Sequence, residues 1–206
     1  MNDLYLPSCN VSKNDIMRVL GDIEKSCNRL IAYTTDSRIA GTTSDIRKVG
    51  IFDQYEINED SITFYFNPYR ECTYVLTDDA KHAVIIDAGM YEEREQQRLA
   101  AYIQQEQLTP IALLITHAHP DHVCGQTFVE QTYNLDAIIQ PTEGQLDIPH
   151  FNIHVIATPG HKEDAVCYHL PDEDILFTGD TLFQESIGRT DLPGGDMHTL
   201  ICSLKK

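Results

Sequence analysis

The chain has 206 residues, of which 42% are hydrophobic and 23% are charged, and its formal net charge at pH 7 is −17. This length suits one main core with an appendage, and the acidic balance argues against nucleic acid or an anionic membrane surface as a partner. The sequence has no apolar run near the ~20 residues needed to span a membrane, and residues 1–5 lack a signal-peptide pattern. Its six cysteines form no C-x-x-C pair, which indicates reduced thiols in a cytoplasmic protein.

Residues 1–48 are predicted to form an N-terminal extension. Residues 12–32 carry apolar side chains near helical spacing, which predicts one amphipathic helix. Residues 34–45 are rich in Thr, Ser, Asp and Gly, a composition typical of a linker. The helix either docks on the rest of the chain or forms a partner surface. The extension holds seven Lys/Arg and six Asp/Glu residues, so the negative charge belongs to the remainder of the chain.

Short strands and one helix are predicted in the next part of the chain. Residues 61–66, 73–76 and 83–86 are β-branched or aromatic segments separated by turns, which predicts three strands. The third leads into Asp87. Residues 91–106 are predicted to form a polar helix with a narrow buried stripe.

A buried strand followed by a group of potential metal ligands comes next. The apolar run at residues 111–115 predicts a strand buried on both faces, and His117, His119, Asp121 and His122 follow it within a few residues. Imidazoles and a carboxylate clustered there are costly unless something binds them. Their nitrogen and oxygen donors suit zinc, iron or manganese.

Two later segments repeat this design. After a predicted helix at residues 123–133 and a short strand, the apolar residues 155–157 lead into a Thr-Pro-Gly-His turn that presents His161, and residues 174–177 lead into Asp180. Buried strands that end in ligands place them along one edge of a sheet, where open α/β folds carry their sites. Three further histidines are interpreted as surface or satisfied core residues: His150, His154 and His169.

The motifs resemble those of a known family. Residues 116–122 (T-H-A-H-P-D-H), 158–161 (T-P-G-H) and 178–183 (T-G-D-T-L-F), with the loop G-R-T-D-L-P-G-G-D at 188–196, resemble the metallo-β-lactamase-fold hydrolases. The resemblance is strongest to their glyoxalase II-like branch and covers about residues 61–206.

The resemblance implies a metal-dependent hydrolase with a small acyl thioester as substrate. In that family two zinc ions bind a hydroxide that attacks the thioester carbonyl; iron or manganese could take the place of zinc. Carried over position by position, the first metal would be held by His117, His119 and His161, the second by Asp121 and His122, with Asp180 shared. Asp121 would also orient the nucleophile.

Three other residues are expected beside the ligands. The resemblance implies that Asp87 supports the loop beneath the metals, although it could equally be a simple turn residue. Arg189 is expected to pair with Asp191 or a core carboxylate; the alternative is contact with an anionic substrate.

The implied fold is α/β, a four-layer αβ/βα sandwich formed by residues 49–206, with two departures from the family pattern. Only residues 140–145 stand where relatives carry a helix-containing stretch, which predicts a more open cleft. The segment that ends in the family's last ligand histidine is missing, so the C-terminal half is expected to be incomplete. One zinc is then lost, or a partner chain supplies the group. An open edge and exposed apolar surface also leave homo-oligomerisation open.

Three functions follow from these expectations. The first is a glyoxalase II-like thioester hydrolase, favoured by the Leu-Pro-Gly-Gly continuation at 192–195. The second is a mononuclear-iron persulfide dioxygenase using His117, His161 and Asp180. The third is a metal-binding domain whose catalysis is impaired.

Overall fold

Residues 55–57, 61–173, 175–183 and 186–206 are described by the computed structural model. The predicted helix at 12–32 and the linker at 34–45 lie outside these residues. Within the described ranges, none of the helices has the length and apolar character needed to cross a membrane.

The first sheet contains six strands in the spatial order β1 to β6. Their bounds are Tyr55–Ile57 (β1), Ser61–Phe66 (β2), Glu71–Thr77 (β3), His82–Ile86 (β4), Thr109–Ile115 (β5) and Ala137–Ile139 (β6). Neighbouring strands from β1 to β4 are antiparallel, whereas β4 pairs with β5, and β5 with β6, in parallel. The parallel pairing puts the C-terminal ends of β4 and β5 at one edge of the sheet.

Four helices belong to the described residues. They are Glu93–Gln105 (α1), Pro120–Val123 (α2), Gln126–Tyr133 (α3) and Met197–Ser203 (α4). Glu92 and Glu95 form a reciprocal capping box at the start of α1, which satisfies donors that have no partner within the helix. Leu99 and Ile103 of α1 and Val129 of α3 are buried against the outer face of the first sheet. These helices form one layer.

The helix predicted at residues 123–133 is interrupted in the structure. Gly125 separates α2 from α3, and its N–H donates to the carbonyl of Ala88 at 2.7 Å. A side chain at this position would press on Met90, with a Cβ only 2.8 Å from the terminal methyl of Met90. The close approach of two backbones therefore determines where α3 begins.

The second sheet has the order β10-β9-β8-β7, and all its pairs are antiparallel. Its strands are Gly144–Ile148 (β7), Phe151–Ala157 (β8), Val166–Leu170 (β9) and Ile175–Phe177 (β10). The inner faces of the two sheets share one buried cluster, which includes Tyr74, Leu114, Val155, Tyr168 and Phe177. The hydroxyl of Tyr168 donates to the carbonyl of Ile115 at 2.8 Å, so the core also carries a polar tie between the sheets.

A small third cluster lies at the C-terminal end of β8. The two-stranded hairpin of Leu182–Phe183 (β11) and Ser186–Ile187 (β12) contributes Leu182, which packs against Leu200, Ile201 and Leu204 at the end of the chain. The hydroxyl of Ser203 donates to the carbonyl of Pro159 at 2.7 Å. The helices, first sheet and second sheet form an α/β sandwich, which confirms the expected fold class.

Candidate metal centre

Four strands end at the same edge of the sandwich. β4 leads into Asp87, β5 into residues 116–122, β8 into 158–161 and β10 into 178–180. β8 and β10 are both antiparallel to β9, so they run in the same direction. The N–H of Val166 donates to the carbonyl of Thr116 at 2.9 Å and joins the two sheets at this edge.

Three imidazole nitrogens converge at the centre of this edge. His119 Nδ1 lies 3.0 Å from His117 Nε2 and 2.8 Å from His161 Nε2. Nitrogen ligands of a tetrahedral zinc ion, at 2.0–2.1 Å from the metal, lie about 3.3 Å from one another. The three nitrogens therefore fit one shared cation.

Hydrogen bonds fix the orientation of two of these rings. His161 Nδ1 lies 2.7 Å from the carbonyl oxygen of Arg189, which can only accept, so Nδ1 carries the proton and Nε2 offers its lone pair. The hydroxyl of Thr116 donates to Asp87 at 2.7 Å and lies 3.2 Å from His117 Nδ1. The hydroxyl oxygen of Thr116 therefore accepts from His117 Nδ1–H, which leaves Nε2 of His117 as the metal-binding nitrogen.

The protonation of His117 and His119 favours metal binding. Burial, together with the neighbouring imidazoles, lowers the pKa of His117 and that of His119. Because the ligand form of histidine is the neutral ring, these nitrogens are available without the loss of a proton.

A second ligand group adjoins the first. His122 Nε2 lies 3.3 Å from Asp180 Oδ1 and 3.9 Å from Asp121 Oδ2. His122 Nε2 is buried, yet it makes no hydrogen bond of acceptable geometry with any of the described residues. A buried polar atom without a hydrogen bond is unfavourable, and a cation held between His122 Nε2 and Asp180 would satisfy it. The donor set therefore fits a second metal position.

The electrostatics of this second group differ from those of the trio. Burial acts to lower the pKa of His122, but the carboxylates of Asp87 and Asp180 override it and raise that pKa well above its ordinary value. Burial acts to raise the pKa of Asp180, but its contact with His122 lowers it. The raised pKa favours a protonated His122 ring beside the Asp180 carboxylate, so a cation that binds His122 Nε2 would have to replace this proton.

Asp87 is linked to both ligand groups by hydrogen bonds. Its two carboxylate oxygens accept from the Thr116 N–H (2.7 Å), the Thr116 hydroxyl (2.7 Å) and His122 Nδ1 (2.8 Å). Its φ of 61° is in the left-handed region, an unfavourable conformation that is common at functional sites. Asp87 therefore contacts His122 directly and His117 through Thr116, and its supporting role stays a prediction.

The structure brings the predicted ligands together with different degrees of exposure. His117, His122 and His161 are buried, and Asp180 completes a ligand group with the first two. The Asp121 side chain, 25% exposed, lies at the rim of the site.

Of the partners expected for Arg189, the structure shows Asp191, and this pair faces solvent. Two hydrogen bonds of 2.7 Å join the guanidinium to the carboxylate, and both side chains are more than 60% exposed. The pairing with Arg189 lowers the pKa of Asp191 to about 2. Arg189 supports the site through its backbone carbonyl on His161, not through its charge.

Two buried carboxyl groups beside the site were not predicted from the sequence. Asp164 accepts from the N–H of Ala118 at 3.1 Å, between two ligand histidines, and pairs with Lys162 at 2.6 Å. Glu71 is fully buried beneath His122, with its Oε1 3.9 Å from His122 Nδ1. In the sequence Lys162 and Asp164 resemble a solvated charged turn. Glu71 follows a turn at the start of a strand, where an exposed residue is usual.

The sequence matches the family model described as Metallo-beta-lactamase superfamily over residues 69–150 and 142–205. The chain is 30% identical over 169 residues to the probable metallo-hydrolase YqgX of Bacillus subtilis, covering 66% of this chain and 78% of that protein. It is 32% identical over 164 residues to the hydroxyacylglutathione hydrolase GloC of Haemophilus influenzae, covering 64% of this chain and 76% of that protein.

Solved structures are also similar to this chain. The BLEG-1 B3 metallo-β-lactamase has a TM-score of 0.66 and 33% identity, covering 70% of this chain and 83% of that one. ETHE1 from Myxococcus xanthus has a TM-score of 0.59 and 28% identity, covering 66% of this chain and 64% of that one.

Proposed function

We propose that this chain, which belongs to the metallo-β-lactamase superfamily, is a metal-dependent hydrolase of small acyl thioesters. The observation that carries the proposal is the convergence of His117 Nε2, His119 Nδ1 and His161 Nε2 beside Asp180. The similarity to a hydroxyacylglutathione hydrolase supports a thioester as the substrate class. We assign zinc as the metal, with two ions per chain when both ligand groups are filled.

The residues of the site would have different roles in the reaction. Divalent cations at such a site activate water at neutral pH and polarise a carbonyl oxygen. His117, His119 and His161 would hold the first ion, and His122 and Asp180 the second. The partly exposed carboxylate of Asp121 can accept a hydrogen bond from the attacking water and orient it toward the thioester carbon. Because a thiol has a pKa near 8.5, the leaving group needs little protonation, so a dedicated general acid is unnecessary.

The proposal is tested by measuring release of free thiol from S-acyl glutathione and other small acyl thioesters by the zinc-loaded chain. His119→Ala removes the nitrogen that lies next to those of both His117 and His161. We expect kcat/KM to fall by more than the ~100-fold typical of losing a residue that only supports a metal ligand. His154→Ala is the matched control, because His154 is exposed on β8. If the fully loaded protein releases no thiol above background, the proposal is wrong.

A persulfide dioxygenase with one iron is the second candidate. His161 Nε2 lies 3.5 Å from Asp180 Oδ2, and His117 adjoins both, so a smaller ligand set is also assembled. The structural similarity to ETHE1 supports this candidate. One iron per chain in protein purified without added metal, together with oxygen consumption on a persulfide, would favour it over the hydrolase.

A further inference from the structure

We propose a separate divalent-metal site formed by Asp78, His82 and His150 at the end of the sandwich opposite the candidate catalytic centre. Each residue offers one ligand atom, and these atoms all lie within 4.8 Å of one another. Metal binding by this cluster does not depend on the proposed hydrolase activity.

Asp78 and His82 are held together by the turn between β3 and β4. The carboxylate of Asp78 accepts from the backbone N–H of His82 at 2.8 Å, and its other oxygen lies 2.7 Å from His82 Nδ1. The N–H of Asp78 in turn donates to the carbonyl of His82 at 3.2 Å. Both side chains are half-buried. The carboxylate and the first imidazole are therefore fixed in place before a metal arrives.

His150 reaches the same point from the second sheet. It follows Pro149 in the connection between β7 and β8, where Ile148 pairs with Phe151, and its φ is 73°. Proline followed by a positive φ is the pattern of a type II turn, in which Gly or Asn is favoured at the second position. The chain has a histidine there, and its ring stacks on that of His82 with centroids 4.0 Å apart and planes 8° apart.

The topology separates this cluster from the ligands already described. His82 begins β4, and the other end of β4 leads to Asp87. Five residues of strand span about 16 Å. His150 likewise precedes β8, whose far end leads to His161. The two groups of ligands therefore lie at opposite ends of the same two strands.

The donors define the class of metal and its effect. Two imidazoles and one carboxylate suit zinc, nickel, cobalt or copper, and the exposure of His150 leaves further coordination positions to water. A metal here would link the β3–β4 turn of the first sheet to the β7–β8 turn of the second. It would act as a cross-link between the sheets, and because it binds only the folded chain, it would stabilise the fold.

The test is the number of zinc ions bound by the full chain, measured by equilibrium dialysis with elemental analysis. His150→Asn removes the imidazole but retains a residue that tolerates positive φ, and His154→Asn is the matched control on the neighbouring strand. We expect His150→Asn to bind one ion fewer per chain than the wild type, and His154→Asn to bind the same number. Equal binding by His150→Asn and the wild type would show that the cluster is only an Asp–His pair with a stacked ring.

A second variant and a second readout guard against misfolding. His82→Gln is expected to lose the same ion, and its failure to do so would also overturn the proposal. Once the catalytic centre is saturated, further zinc should raise the thermal midpoint of the wild type and of His154→Asn, but not that of His150→Asn. Thiol release by His150→Asn should match the wild type, so failure of the cluster and failure of the hydrolase proposal give different results.

Discussion

Asp87 connects two parts of the site. Its carboxylate accepts hydrogen bonds from His122, whose ring it orients, and from Thr116 at the end of β5. Replacing it by Asn keeps the size but removes one of the two oxygens that accept these hydrogen bonds. We expect Asp87→Asn to weaken zinc binding at the His122–Asp180 position by about 10–100-fold. A competition titration against a chromophoric chelator measures this, with the exposed Asp172→Asn as control. Unchanged affinity would mean that the ring of His122 is held by packing alone.

Glu71 makes stability depend on pH. Burial raises its pKa well above the ordinary value, so the folded chain retains a proton that the unfolded chain releases above pH about 4.3. Stability should therefore fall as pH rises from that value through the raised folded pKa, by at most about 1.4 kcal/mol per pH unit.

Glu71→Gln keeps the shape of the side chain and removes this titration. Urea unfolding of the metal-free protein between pH 5 and 8 should give a flatter stability profile for the variant than for the wild type. Parallel profiles would contradict the prediction.

Some residues of the site could be predicted from the sequence and others could not. His117, His119 and His161 were predictable because each follows an apolar strand within a few residues, which is a local pattern. Glu71 and Asp164 were not, since their burial depends on packing between segments distant in the chain. His150 was interpreted as a surface or core histidine because it lies beside a strand. Its stacking on His82 depends on the docking of two sheets, for which the sequence has no local pattern.

Among the secondary-structure elements, α4 packs closely on the turn that carries His161. Gly160 has a φ of 140°, and a Cβ there would overlap the backbone of Leu200 in α4. Gly144 has a φ of 123° but open space around it. An alanine at Gly144 would therefore test backbone strain alone, whereas an alanine at Gly160 would add steric overlap.

Gly160→Ala should destabilise the fold more than Gly144→Ala does. Strain from positive φ costs of order 1–3 kcal/mol at either position, and overlap adds about 1–3 kcal/mol at Gly160. Chemical denaturation of both variants measures the difference. Equal losses would mean that α4 moves aside freely.

Predicted elements were most accurate where the pattern was local. The strand at residues 61–66 is confirmed with the same bounds, and the helix predicted at 91–106 is confirmed as Glu93–Gln105. The break at Gly125 was not predictable, because it depends on contact with Ala88 and Met90. The short β11–β12 hairpin has too few residues for a periodic signal.

For the whole molecule, bound cations should contribute to folding stability. The net charge is −17, and carboxylates and imidazoles converge at the edge where the strands end. Zinc that binds only the folded chain at one hundred times its dissociation constant stabilises it by about 2.7 kcal/mol. Chelation should therefore lower the thermal midpoint, and His119→Ala should reduce the effect. A midpoint that chelation leaves unchanged would contradict the prediction.

The division of the ligands between the two sheets has a kinetic consequence. A folding intermediate with only the first sheet formed would present His117, His119 and His122 but would lack His161 and Asp180. Pairing across such long chain separations is slow, so tight capture of a cation must await docking of the second sheet. The rate at which refolding protein takes up zinc should therefore equal the rate at which the second sheet docks. Zinc uptake would then report when folding is complete.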